Sequence, residues 1–361
     1  MYQPVESVSP NQKILLIAPN WIGDAILCLP VVDASVRLRP EAELTVLARK
    51  EVSQVFVVRE PSVRVLEFQR GAGPRRLKGL AELARMLREE RFSLAIILPN
   101  SFSSLLLAWM AAIPQRAGYA TDGRGLLLTH RLKSRRKERG LHQAEYYLQL
   151  IRSLGATEVD CIPRLSLRPR YRKKAFSLLG TLGIGEDETV VGVHPGAAYG
   201  ETKRWFPQRF AAVLEKLQRS GRRILLLGGP GEESVANQIS RKMAKPPISL
   251  VGRTSVAEAL AVISRCALFL SNDSGLMHAA AALGVPQVAL FGSTDPLKTA
   301  PLNELAVVIH PKEVSCTPCF KRHCPHNLEC MKAITVEKVH TAAEQMLAKW
   351  RPQPTEPGGW R

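Results

Sequence analysis

Short apolar segments alternate with segments of helical periodicity along this sequence, in two separate series, and few folds accommodate that arrangement. In the first series, buried strands are predicted at residues 13–18, 44–48, 63–68 and 94–98, and helices at residues 24–38, 76–90 and 142–154. Short apolar strands that alternate with helices are typical of parallel sheets covered by helices on both faces. The first series therefore predicts a Rossmann-like α/β domain.

A second series of the same kind follows. Its strands are predicted at residues 190–193, 223–227, 268–271 and 287–291, and its helices at residues 207–220, 232–242, 256–266, 276–283 and 336–350. It predicts a second Rossmann-like domain, with its parallel sheet facing that of the first domain across a cleft. In open α/β sheets ligands bind beyond the carboxyl ends of the strands, so the loops after the strands are the candidate sites.

The connection between the two series is predicted at residues 155–170, which contain Pro163 and Pro169 and show little periodicity. We expect an N-terminal domain over residues 1–160 and a C-terminal domain over residues 161–350. The last helix could pack back on the N-terminal domain. Residues 351–361 are rich in proline and glycine and predict a flexible tail.

Charge and hydropathy narrow the class of partner and the location. The formal net charge of +18 is spread over both halves of the chain and favours an anionic partner: nucleic acid, an acidic membrane face or a phosphorylated ligand. The longest strongly apolar run, residues 105–113, is too short to span a bilayer. The apolar segment near the N-terminus lacks the features of a signal peptide. We therefore expect a cytoplasmic protein.

The loop after the first strand contains one carboxylate, Asp24. At the mouth of the sheet, such a residue could act as a general base that takes the proton of an attacking hydroxyl. Aspartate is also a favoured N-cap residue, and Asp24 precedes a predicted helix. Both interpretations stay open on the sequence alone.

Two loops of the second domain combine small residues with charge. Residues 194–205 include Lys203 and Arg204, which could bind a diphosphate; the alternative is a surface loop with two solvated cations. Residues 228–233 combine three glycines with Glu232 and Glu233, and a carboxylate near a sheet edge often binds a ribose hydroxyl. These acids could equally complement the dipole of the helix that follows.

The loop at residues 271–278 is the most specific one. It joins an apolar strand to a helix of small residues, and the backbone N–H groups of Ser274, Gly275 and Leu276 would point out of the helix start. A helix start of this kind binds anions and suits a diphosphate. His278 lies one turn beyond Ser274 and faces the same side. A structural histidine is the alternative for His278.

Two further clusters are less specific. Residues 129–139 carry six basic side chains, among them Arg131, Arg135 and Arg136, and Arg70 belongs to a smaller basic group. They could bind phosphates and carboxylates or form a solvated loop; interleaved aromatic residues, typical of RNA-binding surfaces, are missing. Four cysteines lie close together late in the chain, namely Cys316, Cys319, Cys324 and Cys330. Their spacing could hold zinc or an iron–sulfur cluster, and a reduced structural loop is the favoured interpretation.

Residues 14–30, 194–205, 271–284 and 291–296 together resemble the ADP-heptose:lipopolysaccharide heptosyltransferases of glycosyltransferase family 9. The similarity extends over nearly the whole chain. Residues 19–24, residues 118–128 and the late cysteines are most similar to the type II members, which add the second heptose of the inner core. The resemblance implies the GT-B fold, an inverting mechanism and no requirement for a metal or other cofactor.

The resemblance also implies roles for individual residues. Asp24 would be the base that activates the acceptor hydroxyl, and Lys203 would stabilise the departing ADP. The donor ADP-L-glycero-D-manno-heptose would be bound further by Glu232, Asp273, Ser274, Gly275 and His278. Basic side chains of the first domain would face the anionic lipopolysaccharide precursor, namely Arg70, Arg124, Arg131, Arg135 and Arg136.

The implied partners are this donor, this acceptor and, transiently, the inner-membrane surface, without nucleic acid. Three alternatives stay open. One is a related enzyme that acts on another acceptor or heptose position. The others are a basic nucleic-acid-binding protein and a nucleotide-sugar binder without catalytic activity.

Overall fold

A computed structural model describes most of the chain, namely residues 12–69, 75–121, 123–133, 140–157 and 159–350, with the backbone alone at 75 and 76. The chain divides into two compact units, Met1–Pro163 and Arg164–Arg361. Each unit is built around one parallel sheet.

The first unit is an open α/β sheet. Its strands are β1 Lys13–Ile17, β2 Glu43–Arg49, β3 Arg59–Glu60, β4 Arg64–Phe68, β5 Leu94–Ile97, β6 Gln115–Tyr119 and β7 His130–Leu132. Its described helices are α1 Ile22–Leu27, α2 Leu29–Leu38, α3 Lys50–Val57, α4 Arg75–Glu89, α5 Phe102–Met110 and α6 Gln143–Ser153. The strand order is β4-β2-β1-β5-β6-β7, and every described pair in it is parallel.

The second unit repeats this design. Its strands are β8 Ser166–Leu167, β9 Val190–His194, β10 Arg223–Leu226, β11 Ile248–Ser249, β12 Leu268–Asn272, β13 Gln287–Leu290 and β14 Ala306–Ile309. Its described helices are α7 Pro169–Thr181, α8 Pro207–Arg219, α9 Glu233–Ser240, α10 Val256–Ile263, α11 Gly275–Ala282, α12 Pro296–Thr299, α13 Glu329–Ala333 and α14 Val336–Lys349. The parallel strand order is β11-β10-β9-β12-β13-β14.

The apolar runs of the sequence become the central strands because helices cover both faces of each sheet. Strand β9 is buried along its whole length, and β1 is buried from its second residue onward. The core of the second unit includes Trp205, whose indole Nε1 donates to the Ile334 carbonyl at 3.0 Å and whose ring meets Phe210 edge-on. The last helix, α14, packs on α8 and on the sheet of this second unit.

The strand order fixes where ligands can bind. In the first sheet β1 lies between β2 and β5, and in the second sheet β9 lies between β10 and β12. The later strands are therefore added on the opposite side of this first strand, and the order of strands reverses there. Open α/β sheets bind ligands outside the carboxyl ends of the strands at this switch point. The loops after β1 and β5 occupy it in the first unit, and those after β9 and β12 occupy it in the second.

One predicted helix and the predicted connection between the units were wrong in their extent. The predicted helix over residues 24–38 is two helices, which meet at Cys28. Pro30 lacks the N–H that would continue the hydrogen-bond ladder across this point. The predicted connection at residues 155–170 also contains the start of α7, which begins at Pro169, a favoured first helical residue.

Gly192, at the middle of β9, tests how tightly the second sheet is packed. A Cβ atom there would lie 2.8 Å from Cys266 Sγ and 2.9 Å from the Phe269 ring. We expect Gly192→Ala to lower the free energy of unfolding by about 1–3 kcal/mol because this core must be forced apart. Urea unfolding measures the change. Gly180→Ala, in α7 with no atom within 4 Å of the new Cβ, is the control and should stabilise slightly. Equal effects of the two variants would contradict this packing.

Candidate functional site

The imidazole of His194 joins the three loops at the carboxyl edge of the second sheet. His194 ends β9 and is 6% exposed. Its Nδ1 lies 2.8 Å from Ser274 Oγ, and its Nε2 lies 3.0 Å from Glu232 Oε2. Glu232 follows β10 and Ser274 follows β12, so one buried ring fixes the loops after β9, β10 and β12 to one another.

The structure distinguishes the two adjacent acids. Glu232 turns inward and also accepts a hydrogen bond from the Gly229 N–H at 2.8 Å. Glu233 instead accepts from the Gly231 N–H and is exposed. Burial raises the pKa of the Glu232 carboxyl, but the hydrogen bond and the electrostatic attraction from His194, together with the Gly229 amide, outweigh burial, so the pKa lies below its usual range. Glu232 is therefore a half-buried carboxylate held ionised at the edge of the sheet.

Gly196 is required by the position of that carboxylate. A Cβ atom at Gly196 would lie 1.8 Å from Glu232 Oε1, closer than any side chain can approach. The loop after β9 therefore carries glycine where the carboxylate of the loop after β10 comes closest.

The start of α11 presents backbone donors at the switch point. Ser274 is its N-cap, and the Ser274 Oγ accepts from the Met277 N–H at 3.4 Å. Gly275 and Leu276 are the first two helical residues, and N–H groups at these positions have no carbonyl partner within the helix. Together with the helix dipole, they favour an anion at this point.

A cation lies beside this helix start. The Lys203 Nζ is 2.6 Å from Asp273 Oδ2, and the Thr294 hydroxyl donates to the same oxygen at 2.6 Å. The two charged side chains are 16% and 5% exposed. The Asp273 N–H donates to the Leu290 carbonyl, so this amide is already used within the protein. Asp273 contributes its negative charge to the site and no backbone donor. Asp273 therefore fixes the position of Lys203.

The cysteine-rich segment supports the loop that carries Lys203. The Thr202 hydroxyl donates to the Lys321 carbonyl at 2.5 Å, and the Tyr199 hydroxyl donates to the Phe320 carbonyl at 2.7 Å. The Cys319 and Phe320 amides both donate to the Ser293 carbonyl, which continues this support toward β13. The segment thus has a structural role in the second unit.

The cysteines of this segment are not joined by disulfides in the described structure. Cys330 is buried, and burial raises the pKa of its thiol. The sulfur of Cys324 accepts hydrogen bonds from the His326 and Leu328 amides. Within the described ranges, no three His, Cys, Asp or Glu side chains are arranged to hold a metal ion, and no disulfide joins the cysteines. That the protein needs no metal stays a prediction.

Asp24 lies in the first turn of α1, after β1. The Tyr147 hydroxyl of α6 donates to Asp24 Oδ1 at 3.1 Å. The N-cap alternative is wrong for Asp24, because the N-cap of α1 is Trp21 and Asp24 is the third helical residue. The structure thus holds a partly exposed carboxylate at the switch point of the first sheet by a contact from a distant helix.

Tyr147 is a fixed donor to that carboxylate. Burial, and then the negative charge of Asp24, raise the pKa of the Tyr147 phenol well above its usual range, so the phenol keeps its proton. The preceding residue, Tyr146, stacks on Tyr119 with ring centroids 4.0 Å apart and accepts from the Asn100 side chain at 2.8 Å. Stacking and hydrogen bonding therefore fix α6 beside the loops after β1 and β5.

The five arginines predicted to bind the acceptor differ in what the structure says of them. Arg70, Arg135 and Arg136 lie outside the described residues. Arg131 is exposed on β7, and its Nε donates to the Leu128 carbonyl. Arg124 is 1% exposed, and its guanidinium donates to the carbonyls of Tyr119, Pro99 and Ser101. Its geometry is that of a residue that supports the loop after β5.

The remaining predicted donor residue, His278, is 6% exposed on α11, one turn after Ser274. Sequence reasoning missed three residues that shape the two sites: His194, Gly196 and Tyr147. A polar residue that ends an otherwise apolar strand was the available signal for His194. Tyr147 gave no signal, because its partner Asp24 lies 123 positions away in the chain.

The low pKa of Glu232 makes the stability of the second unit depend on pH. A carboxyl whose folded pKa lies below its unfolded value of about 4.3 stabilises the fold above that pH and loses this effect as the pH falls through the folded pKa. We expect Glu232→Gln to lower the free energy of unfolding at pH 7 by about 1–2 kcal/mol, with a smaller difference from the wild type below pH ~4. Urea unfolding at both pH values measures this. The exposed neighbour provides the control, Glu233→Gln, and a difference for Glu232→Gln that grows in acid would contradict the assignment.

Comparison with known proteins agrees with the fold. A model of glycosyltransferase family 9 (heptosyltransferase) matches residues 80–329. The lipooligosaccharide heptosyltransferase 2 of Haemophilus ducreyi is 31% identical over 311 residues, which cover 82% of this chain and 88% of that protein. The lipopolysaccharide heptosyltransferase 2 of Escherichia coli K12 is 30% identical over 308 residues, which cover 82% of this chain and 87% of that protein.

A solved structure shows the same similarity. The E. coli ADP-heptose lipopolysaccharide heptosyltransferase II matches with a TM-score of 0.81 and 26% identity, over 94% of this chain and 99% of that chain. The predicted fold class, two Rossmann-like units of the GT-B type, is confirmed. The family match covers more than half of the sequence. The chain therefore belongs to glycosyltransferase family 9, the heptosyltransferases.

Proposed function

We propose that this protein transfers heptose from ADP-L-glycero-D-manno-heptose to the first heptose of the lipopolysaccharide inner core, with inversion at the anomeric carbon and release of ADP. The observation that carries the proposal is the pairing of Lys203 with Asp273 directly before the N-terminus of α11. A cation and free backbone donors meet there at the switch point of a Rossmann-like sheet. Such a site suits a nucleoside diphosphate.

The diphosphate is stabilised as it leaves. Negative charge develops on it when the bond to the sugar breaks, and donors already in position stabilise that charge without reorganisation. In our proposal Lys203 and the amides of Gly275 and Leu276 supply these donors. Asp273 acts through Lys203, which it orients, since its carboxylate would repel a phosphate.

The nucleoside side of the donor is assigned to Glu232. An ionised carboxylate accepts hydrogen bonds from ribose hydroxyls, as in other Rossmann-like sites. The inward position and low pKa of Glu232 support this assignment over Glu233. Ser274 and His278, one turn apart on α11, complete the donor site in this proposal.

The base of the reaction is Asp24. It takes the proton of the attacking acceptor hydroxyl while ADP departs from the opposite face of the donor sugar, as an inverting displacement requires. The Tyr147 hydroxyl donates to Oδ1 of this carboxylate and so restrains its orientation. Tyr147 is thus a positioning residue.

The acceptor carries carboxylates and phosphates, and basic side chains of the first unit suit it. We assign this role to Arg70, Arg131, Arg135 and Arg136. The geometry does not support the same role for Arg124, because its buried guanidinium already donates to three carbonyls. We propose instead that Arg124 holds the loop after β5 in place.

The expected acceptor is a lipid, so the reaction takes place at a membrane surface, which we propose is the cytoplasmic face of the inner membrane. Across the described parts of the chain, none of the helices is both long and apolar enough to cross a bilayer. The net charge of +18 would draw the protein to anionic lipids. Contact with the membrane is then peripheral and transient.

The first test measures ADP release from ADP-heptose, with and without heptosyl-Kdo2-lipid A. We expect acceptor-dependent release by the wild type and a fall of at least roughly a hundredfold in Asp24→Ala, the scale of a lost general base. Asp24→Asn is the matched variant, because the amide keeps an oxygen for Tyr147 but takes no proton.

Each other outcome of that test selects an alternative. Acceptor-dependent release that survives both substitutions would remove Asp24 from the mechanism. Release that depends on a different heptose acceptor would indicate a related enzyme of the family. No release with any acceptor would contradict the proposed transfer and favour a nucleotide-sugar binder.

A second test concerns metal. Lys203 and the α11 amides supply the positive charge that a divalent cation gives to a diphosphate in metal-dependent enzymes. We therefore expect excess EDTA to change the transfer rate by less than about twofold, with ADP quantified by chromatography so that no coupling enzyme needs magnesium. A rate that collapses with EDTA and returns with Mg²⁺ would show that the protein requires a metal.

A further inference from the structure

Trp21 occupies a position that neither capping nor packing explains. It is the N-cap of α1, where serine, threonine, aspartate and asparagine are favoured because their side chains accept a hydrogen bond from the first turn. The Trp21 side chain makes no such bond, and 65% of the residue is exposed. Residues that depart from a local preference, here the preference for a polar N-cap, without gaining core contacts are expected at functional sites.

Trp21 and Asp24 share one helical turn. The Ala25 N–H donates to the Trp21 carbonyl at 2.9 Å, and the turn that this hydrogen bond closes contains Asp24. The N-cap and the third helical residue share this turn, and the side chain of each can reach the backbone of the other. An exposed tryptophan therefore lies within one helical turn of the residue that we propose as the base, at the switch point of the first sheet.

A second exposed tryptophan shows that exposure alone is not the argument. Trp109 is 51% exposed and lies in the last turn of α5. Helix α5 begins after the carboxyl end of β5 and leads to the start of the parallel strand β6, so Trp109 lies toward the amino edge of the sheet. It is far from the switch point and serves as a matched control.

We propose that the Trp21 indole is a stacking surface for the acceptor sugar and sets the attacking hydroxyl against Asp24. One face of a pyranose is lined by C–H groups of partial positive charge, which favour the negative face of an aromatic ring. Stacking removes apolar surface from water on both partners and leaves the sugar hydroxyls free to bind elsewhere. Trp21 then determines acceptor affinity and not donor affinity. This inference rests on the proposed heptosyl transfer.

Three variants test the role of Trp21, namely Trp21→Ser, Trp21→Phe and Trp109→Ser. Steady-state kinetics with ADP-heptose and heptosyl-Kdo2-lipid A give separate KM values for donor and acceptor. We expect Trp21→Ser to raise the acceptor KM roughly tenfold and the donor KM by less than about twofold. Phenylalanine, which keeps a ring, should restore most of the acceptor affinity. Trp109→Ser should leave both KM values unchanged.

Thermal unfolding separates binding from folding. Serine is a better N-cap than tryptophan, so Trp21→Ser should melt at the same temperature as the wild type or a few degrees higher. A weaker acceptor KM in a protein of equal or greater stability would support the stacking role. A lower melting temperature with both KM values raised would show a structural role and overturn it.

Two other outcomes would also overturn the inference: an unchanged acceptor KM in Trp21→Ser, or an equal rise in Trp109→Ser. Wild-type protein that transfers no heptose would instead contradict the proposed function, together with the inference built on it. Wild-type transfer with an unaltered Trp21→Ser would leave the proposed function in place and remove only the stacking role.

Discussion

The buried imidazole of His194 is the contact on which the second unit's site depends. Its two nitrogens bridge Ser274 and Glu232, which follow different strands, and the bridge fixes the N-cap of α11 and the inward carboxylate in one geometry. Gly196 follows as a necessity, because only glycine leaves room for that carboxylate. Loss of the ring would remove one hydrogen bond from Ser274 and one from Glu232, which costs about 0.5–3 kcal/mol for each bond.

The two units share one strand order but place groups of opposite charge beside their first strands. Each sheet has the same strand order, and each places its site beside its first strand. The first unit puts a carboxylate there and holds it by a phenol that stays protonated. The second puts a cation and a helix N-terminus there. In our proposal, base chemistry is therefore assigned to the first unit and stabilisation of the leaving anion to the second.

Local patterns of the sequence predicted four strands of each six-stranded sheet and the start of α11, because burial on both faces and helix initiation are encoded within a few residues. They did not decide between Glu232 and Glu233, since that choice depends on the His194 ring, 38 positions away. Arg124 was predicted to be an acceptor contact from its place in a family motif, whereas its guanidinium is held by carbonyls at the end of β6 and in the loop after β5. Pairings of this kind exist only in the folded chain, so neither periodicity nor spacing indicates them.

The central claim is that a diphosphate binds between Lys203 and the start of α11, and titration calorimetry of ADP and AMP tests it directly. We expect the wild type to bind ADP at least about tenfold more tightly than AMP, since the β-phosphate gains a charge-assisted contact. Lys203→Met should bring the ADP affinity close to that of AMP and leave AMP binding within about twofold, which also shows that the variant is folded. Equal affinity of the wild type for both nucleotides, or equal losses for both in Lys203→Met, would contradict this account.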